Sequence, residues 1–194
     1  WVGTWRRGLF RLENGQAVRV GAGEDLNQIT AITEDPEGTL WVGTELGAVR
    51  SIPSGGQDFT RHQLPGKPIG LRIQALLADG PGTVWVATRG RGLFRLKEGR
   101  MRAITTTEGL PDDDIRQILR DGLGNMWIGS GSGLFRVRQT DLEAAADRPD
   151  HILEYILFGA SYGLGNFEFQ PGFRNTMCRS QDGNLWFATT RGAV

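Results

Sequence analysis

The chain has 194 residues, 39% hydrophobic and 23% charged, with 22 basic side chains against 22 acidic ones. A net charge of zero excludes a general electrostatic attraction to nucleic acid or anionic membrane. A single cysteine, Cys178, excludes an internal disulfide and a cysteine-based metal cluster, and no apolar run is long enough for a membrane-spanning helix.

The chain opens on Trp1-Val2-Gly3-Thr4-Trp5-Arg6-Arg7-Gly8-Leu9-Phe10-Arg11. The pattern returns as Leu40-Trp41-Val42-Gly43-Thr44, Val84-Trp85-Val86-Ala87-Thr88, Met126-Trp127-Ile128-Gly129-Ser130 and Leu185-Trp186-Phe187-Ala188-Thr189. The tryptophans Trp1, Trp41, Trp85, Trp127 and Trp186 are spaced by 40, 44, 42 and 59 residues. Periods of roughly 40–45 residues with several short strands per unit are the signature of a β-propeller. The 29 glycines recur at fixed places in the unit, which marks them as turn residues.

Each unit reads as four strands, A to D. Strand A is expected at Gln28 to Thr33, Ile73 to Ala78, Ile115 to Arg120 and Asn175 to Arg179, where β-branched and long aliphatic residues dominate the first three. A tight turn follows: Asp35-Pro36-Glu37-Gly38, Asp79-Gly80-Pro81-Gly82, Asp121-Gly122-Leu123-Gly124, and a departure at Ser180-Gln181-Asp182-Gly183. Each offers about one carboxylate, too few for calcium, which takes about six to eight oxygens. The Asp is expected to accept from backbone two residues on. Strand B carries the Trp, with a small residue two positions later (Gly3, Gly43, Ala87, Gly129, Ala188) that would let a neighbouring sheet approach. Strand C starts at Gly8, Gly47, Gly92 and Gly133. Strand D, at Ala17 to Gly21, Asp58 to Leu64 and Arg100 to Thr106, is polar, as suits an outer edge.

The unit after Trp127 differs. Residues 139–151 are an insertion expected to form a short helix capped by Thr140 or Asp141 and stopped at Pro149. Ile152 to Phe158 reads as strand D, and the D–A loop beyond it is long and aromatic, which suits either a functional loop or a plug filling its own hole. The whole of 1–194 therefore reads as one all-β region of four-stranded blades. It has a partial blade over 1–22, blades over 27–65, 72–107 and 114–165, and a partial blade over 173–194. That is about four to five blades, fewer than a large propeller needs.

The consensus Ile-x-x-Ile-x-x-Asp-x-x-Gly-x-Leu-Trp-Val-Gly-Thr-x-x-Gly-Leu-Phe-Arg resembles the two-component regulator propeller repeat. Glu108-Gly109-Leu110-Pro111-Asp112-Asp113-Asp114-Ile115 is similar to that family's Gly-Leu-Pro link into strand A, and Tyr162-Gly163-Leu164 to Phe169 to a late repeat. The resemblance implies an incomplete fragment of a propeller of about seven blades. It implies a periplasmic sensor region of a bacterial membrane receptor, with a β-sandwich and an output domain (histidine kinase, hybrid kinase or diguanylate cyclase) elsewhere in the parent chain. It also implies a glycan fragment or other small molecule as ligand, a homodimer of the full receptor, and no membrane insertion by this segment.

No catalytic constellation is readable. His62 in a polar outer strand and His151 in a loop both read as surface residues, and Cys178 as a buried small apolar residue. No metal site and no cofactor are expected, and this segment reads as non-enzymatic; a lyase or hydrolase could start only from Tyr162 or Asp112 to Asp114. Arg6, Arg7, Arg89, Arg91 and Arg191 fall in equivalent B–C loops, with Trp5 and Glu45. Equivalent loops of successive blades open on one face, where guanidiniums and an indole suit sugar hydroxyls, uronates or sulfates. Solubilising arginines are the competing reading. Asp112 and Asp113 (a solvated loop, a strand cap or ligand contacts) and Tyr162 and Asn166 of the D–A loop complete the candidate ligand set. The alternative is a non-catalytic scaffold for protein contacts.

Overall fold

A computed structural model describes residues 1–21, 26–56, 58–66, 71–148, 150–159, 162, 176–189 and 192–193. The described strands form five antiparallel sheets in chain order. The first contains β1 (Val2–Gly3), β2 (Leu9–Glu13) and β3 (Gln16–Val20). The second contains β4 (Ile29–Glu34), β5 (Leu40–Thr44), β6 (Val49–Ile52) and β7 (Thr60–His62). The third contains β8 (Ile73–Ala78), β9 (Val84–Thr88), β10 (Leu93–Lys97) and β11 (Arg100–Ile104). The fourth contains β12 (Ile115–Arg120), β13 (Asn125–Ser130), β14 (Gly133–Arg138) and β15 (Tyr155–Phe158), and the fifth β16 (Met177–Arg179), β17 (Leu185–Thr189) and β18 (Gly192–Ala193). Within every sheet, sequence order is spatial order, so each is a meander of the kind that makes a propeller blade.

The A–B hairpin is held by its aspartate, and the bond network exceeds the expected one. Asp35 Oδ1 accepts from the Glu37 and Thr39 amides at 3.1 and 2.9 Å, while Oδ2 accepts from the Trp41 indole at 3.2 Å. Asp121 repeats this with Leu123, Asn125 and the Trp127 indole at 3.0 Å, and Asp79 takes the Trp85 indole at 2.9 Å. In the fifth sheet Ser180 Oγ accepts the Trp186 indole at 3.1 Å. One side chain thus closes the turn and anchors the Trp six residues on.

A face of the indole meets a side chain from strand C. The register sets Trp127 opposite Arg136, and the guanidinium lies 5.6 Å from the ring centroid. Arg95 lies over Trp85 at 6.0 Å and Arg11 over Trp1 at 5.8 Å. The second blade breaks the rule, because Trp41 is opposite Ser51. There His62 of β7 stacks on Trp41 at 5.0 Å and bonds Ser51 Oγ at 2.7 Å. His62 is therefore half-buried in the blade, a correction to its reading as a surface residue; it stands on the Trp as the arginines of the first, third and fourth sheets do.

The chain divides into two compact units, Trp1–Val86 with Phe94–Met101, and Ala87–Leu93 with Arg102–Val194. In the first, Leu9, Leu26, Ile29, Leu40, Val42 and Ile52 form one core cluster; Trp41, Val49, Leu71, Ile73, Val86 and Phe94 belong to a second. The small residue after Trp does what its size suggests: a Cβ on Gly3 would collide with Ile29 Cγ2, and one on Gly43 with Ile73 Cγ2. Each glycine thus admits the first isoleucine of the next blade's strand A. In the second unit, Leu134, Met177 and Phe187 cluster with Trp127 and Phe158 packed against them.

Four further expectations are corrected. Helix α1 (Gln139–Asp147) has Arg138 at its N-cap with no side-chain capping bond, so neither Thr140 nor Asp141 caps it. Asp141 is recruited elsewhere, accepting from the Glu154 amide at 2.9 Å and pairing with His151 at 2.5 Å, which also takes His151 out of the free surface. Cys178 is exposed, since its register partner Trp186 leaves that face of the sheet open. Finally, strand D is shorter than expected in the second and fourth sheets: Thr60–His62 within 58–64, and Tyr155–Phe158 within 152–158.

Candidate functional site

The B–C loops are shaped by the hydroxyl that ends each strand B. Thr4 Oγ1 donates to the Gly8 carbonyl at 2.8 Å and accepts from the Arg7 amide at 2.9 Å. Thr88 Oγ1 donates to Gly92 at 2.7 Å, Ser130 Oγ to Gly133 at 3.1 Å, and Thr44 Oγ1 accepts from the Ala48 amide at 3.0 Å. These hydroxyls pin the loop ends and leave two or three intervening side chains outside the turn. Gly8 and Gly92 take positive φ, 82° and 74°, which an L side chain rarely adopts.

In the first unit, Trp5, Arg6 and Arg7 are all exposed, Trp5 by 47%. The Trp5 carbonyl accepts from the Gln28 amide at 2.8 Å, and the Gln28 carbonyl accepts from the Glu45 amide at 2.9 Å. The Glu45 carboxylate pairs with Arg72 Nε at 2.9 Å. The fold therefore ties Trp5 and Glu45 to one link residue.

In the second unit, Arg89 is exposed and Arg91 half-buried. The neighbouring Gly92 amide donates to the Asp113 carbonyl at 2.8 Å, and the Gly131 amide to the Asp114 carbonyl at 3.0 Å. The carboxylates of the acidic run are engaged within the chain. Asp112 accepts from the Asp114 amide (2.8 Å) and the Ser132 hydroxyl (3.0 Å), and Asp113 from the Thr106 amide (2.8 Å) and hydroxyl (3.1 Å). Asp114 pairs with Arg116 at 3.1 Å. The preceding 3₁₀ turn, Thr106–Glu108, is fixed by a capping box between Thr105 and Glu108. Tyr162 is 57% exposed with its ring 4.8 Å from Phe158. Asn166 and Arg191 lie outside the described residues.

The link residues Gln28 and Arg72 were not among the predicted residues, and Asp114 was named only as part of the acidic run and not in the ligand set. Their signal was legible: each stands directly before the first isoleucine of strand A, Ile29, Ile73 and Ile115. All three are polar, at a position a buried strand would not need polar.

The groups whose titration is displaced belong to the blade frame. Burial would raise the Asp35 and Asp121 carboxyls, but hydrogen bonds outweigh it and hold both below the ordinary 3.8: to Asp35 from Thr39, Trp41 and Glu37, and to Asp121 from Asn125, Trp127 and Leu123. Asp182 is lowered by bonds from Ser180 and Asn184. Desolvation lowers His62 below 6.5. Among the described residues no group of three or more His, Cys, Asp or Glu is placed to hold a metal ion.

Two clefts lie away from these loops. One, of about 480 Å³, is lined by Trp1, Arg11, Arg19, Glu34 and Ser54 in the first unit. The other, of about 500 Å³, is lined by Arg136, Arg138, Asp141, Glu154 and Tyr155 in the second. Neither is lined by a predicted site residue.

Tandem four-stranded meanders with an anchored Trp on strand B define a segment of β-propeller. Residues 23–45 and 109–132 match the model of the two component regulator propeller family. Over 75 residues the chain is 30% identical to "Histidine kinase P4" of Formosa agariphila, covering 36% of this chain and 6% of that protein. Over its whole length it resembles the extracellular domain assigned to hybrid two component system BT3049 of B. thetaiotaomicron, with a TM-score of 0.73, 24% identity and 24% of that chain covered. The extracellular domain assigned to one component system BT4673 of the same organism gives a TM-score of 0.70 at 19% identity, covering 98% of this chain and 27% of that one. The chain thus spans about a quarter of the length of those two extracellular-domain chains and 6% of the length of the Formosa agariphila protein. No helix among the described residues is long and apolar enough to cross a membrane.

Proposed function

We propose that this chain is part of the ligand-sensing propeller of a bacterial signal-transduction receptor, held on the periplasmic side of the inner membrane. It binds a small molecule or glycan fragment on its B–C and D–A loops and passes the signal to an output domain of the parent chain. The observation that carries this reading is the division of labour within the repeat. Hydroxyls, glycines and the Asp–Trp pair are committed to the frame, while Trp5, Arg6, Arg7 and Arg89 project from loops whose sequence varies from blade to blade. The family match and the likeness to extracellular domains of two-component systems support a sensor role. Exposed guanidiniums and an indole suit a ligand bearing hydroxyls with carboxylate or sulfate groups.

On this reading the segment is not itself an enzyme: His62 packs on Trp41 and His151 on Asp141. The test is alanine substitution of Trp5, Arg89 and Arg91 together in the parent receptor. Ligand binding across a panel of acidic and neutral oligosaccharides is expected to be lost with folding intact. Retained binding would reject the loop face as the site.

A further inference from the structure

The link that enters strand A makes the same kind of splint in both units. In the first, Gln28 sits at φ 58°, a left-handed conformation unusual for a residue with a side chain. That conformation aims its amide at Trp5 of the preceding B–C loop, 2.8 Å away, while its carbonyl receives the Glu45 amide of its own blade's loop at 2.9 Å. The adjacent Ile29 amide adds a bond to the Thr4 carbonyl at 3.2 Å. In the second unit, the Asp113 carbonyl receives the Gly92 amide at 2.8 Å and the Asp114 carbonyl the Gly131 amide at 3.0 Å. Side chains reinforce the backbone: Arg72 pairs with Glu45, and Asp112 with Ser132.

We infer that Gln28 in the first unit, and Asp113-Asp114 in the second, are positioning residues that couple the B–C loops of successive blades, so that a displacement of one loop is felt in the next. Two loops that share a residue's amide and carbonyl cannot move independently without breaking one of the bonds, and a backbone group left unpaired away from water is costly. Gln28 makes this coupling sharp, because its left-handed conformation is held only while both loops bond to it. The consequence for sensing rests on the reading that these loops bind ligand. The coupling itself is measurable without one, so the two can fail separately.

The test is residue-resolved amide hydrogen exchange on the 194-residue chain, with the perturbation in one loop and the readout in its neighbour. Glu45→Pro removes the amide that donates to Gln28. Exchange is expected to rise about tenfold at the Gln28 and Arg7 amides, while the Glu37 and Thr39 amides of the Asp35 turn stay protected. In the second unit, Gly131→Ala places a Cβ 2.5 Å from Asp112 Oδ2 and is expected to raise exchange at the Gly92 amide. Arg72→Ala, a milder change that only frees the Glu45 side chain, serves if the proline variant does not fold. Unchanged exchange at Gln28 and at Gly92, with the substituted loops themselves loosened, would overturn the inference.

Discussion

At the residue scale the fold rests on a buried-edge Trp whose indole N–H is taken by an Asp and, in the third and fourth sheets, whose ring face lies under an Arg. Asp121 takes three backbone or side-chain amide donors and the Trp127 indole, so removing its carboxylate strands all of them at once. Asp121→Ala is expected to cost about 1–3 kcal/mol in urea unfolding, with Asp121→Asn recovering part of it. The second blade shows the rule by its exception, with Ser51 and His62 standing in for the arginine. That exception gives the chain a pH dependence. The folded-state pKa of His62 lies below 6.5, so its contribution is fully present above 6.5 and is lost as pH falls through the folded value. Asp35 and Asp121 are lowered from 3.8, and their contributions are present above 3.8 and lost at still lower pH. Unfolding free energy measured against pH should therefore fall in two stages, and His62→Asn should remove the first while leaving the second.

At the element scale, the close approach of successive strands A and B is bought by one missing side chain. Gly43 faces Ile73, and Gly3 faces Ile29, with no room for a Cβ. Gly43→Ala is expected to destabilise by about 1–3 kcal/mol through overpacking. In a double-mutant cycle with Ile73→Ala, the combined cost should be smaller than the sum of the two single costs; strict additivity would mean that the clash is relieved elsewhere. These elements were largely legible in the sequence. Strand A of the third and fourth sheets spans the residues expected, Ile73–Ala78 and Ile115–Arg120, because an apolar run between a link and an Asp-Gly turn has few other solutions. The outer strands were less so in the second and fourth sheets: Asp58 and Leu64 lie beyond the Thr60–His62 segment that pairs with β6, and nothing in the residue pattern marks where that pairing stops. The helix cap was misread for a related reason. Asp141 is a good cap by type, but His151 and the Glu154 amide, distant in sequence, compete for the same carboxylate.

At the scale of the whole molecule, the repeat supplies the frame, and on the proposed reading its variable loops supply the chemistry. The sequence marks out the loop arginines as candidates, since they interrupt an otherwise regular pattern. It pointed less well to Gln28, Arg72 and Asp114, whose roles depend on a neighbour one blade away. It also could not show that Asp112 and Asp113 are already bonded to Ser132 and Thr106, a pairing that sequence spacing does not reveal. The most direct test of the account is ligand binding by the parent receptor carrying Trp5→Ala, Arg89→Ala and Arg91→Ala, compared with one carrying Asp121→Ala. The loop variant should lose ligand binding at an unchanged melting temperature, and the turn variant should melt lower yet bind while folded. Full binding by the loop variant would contradict the account.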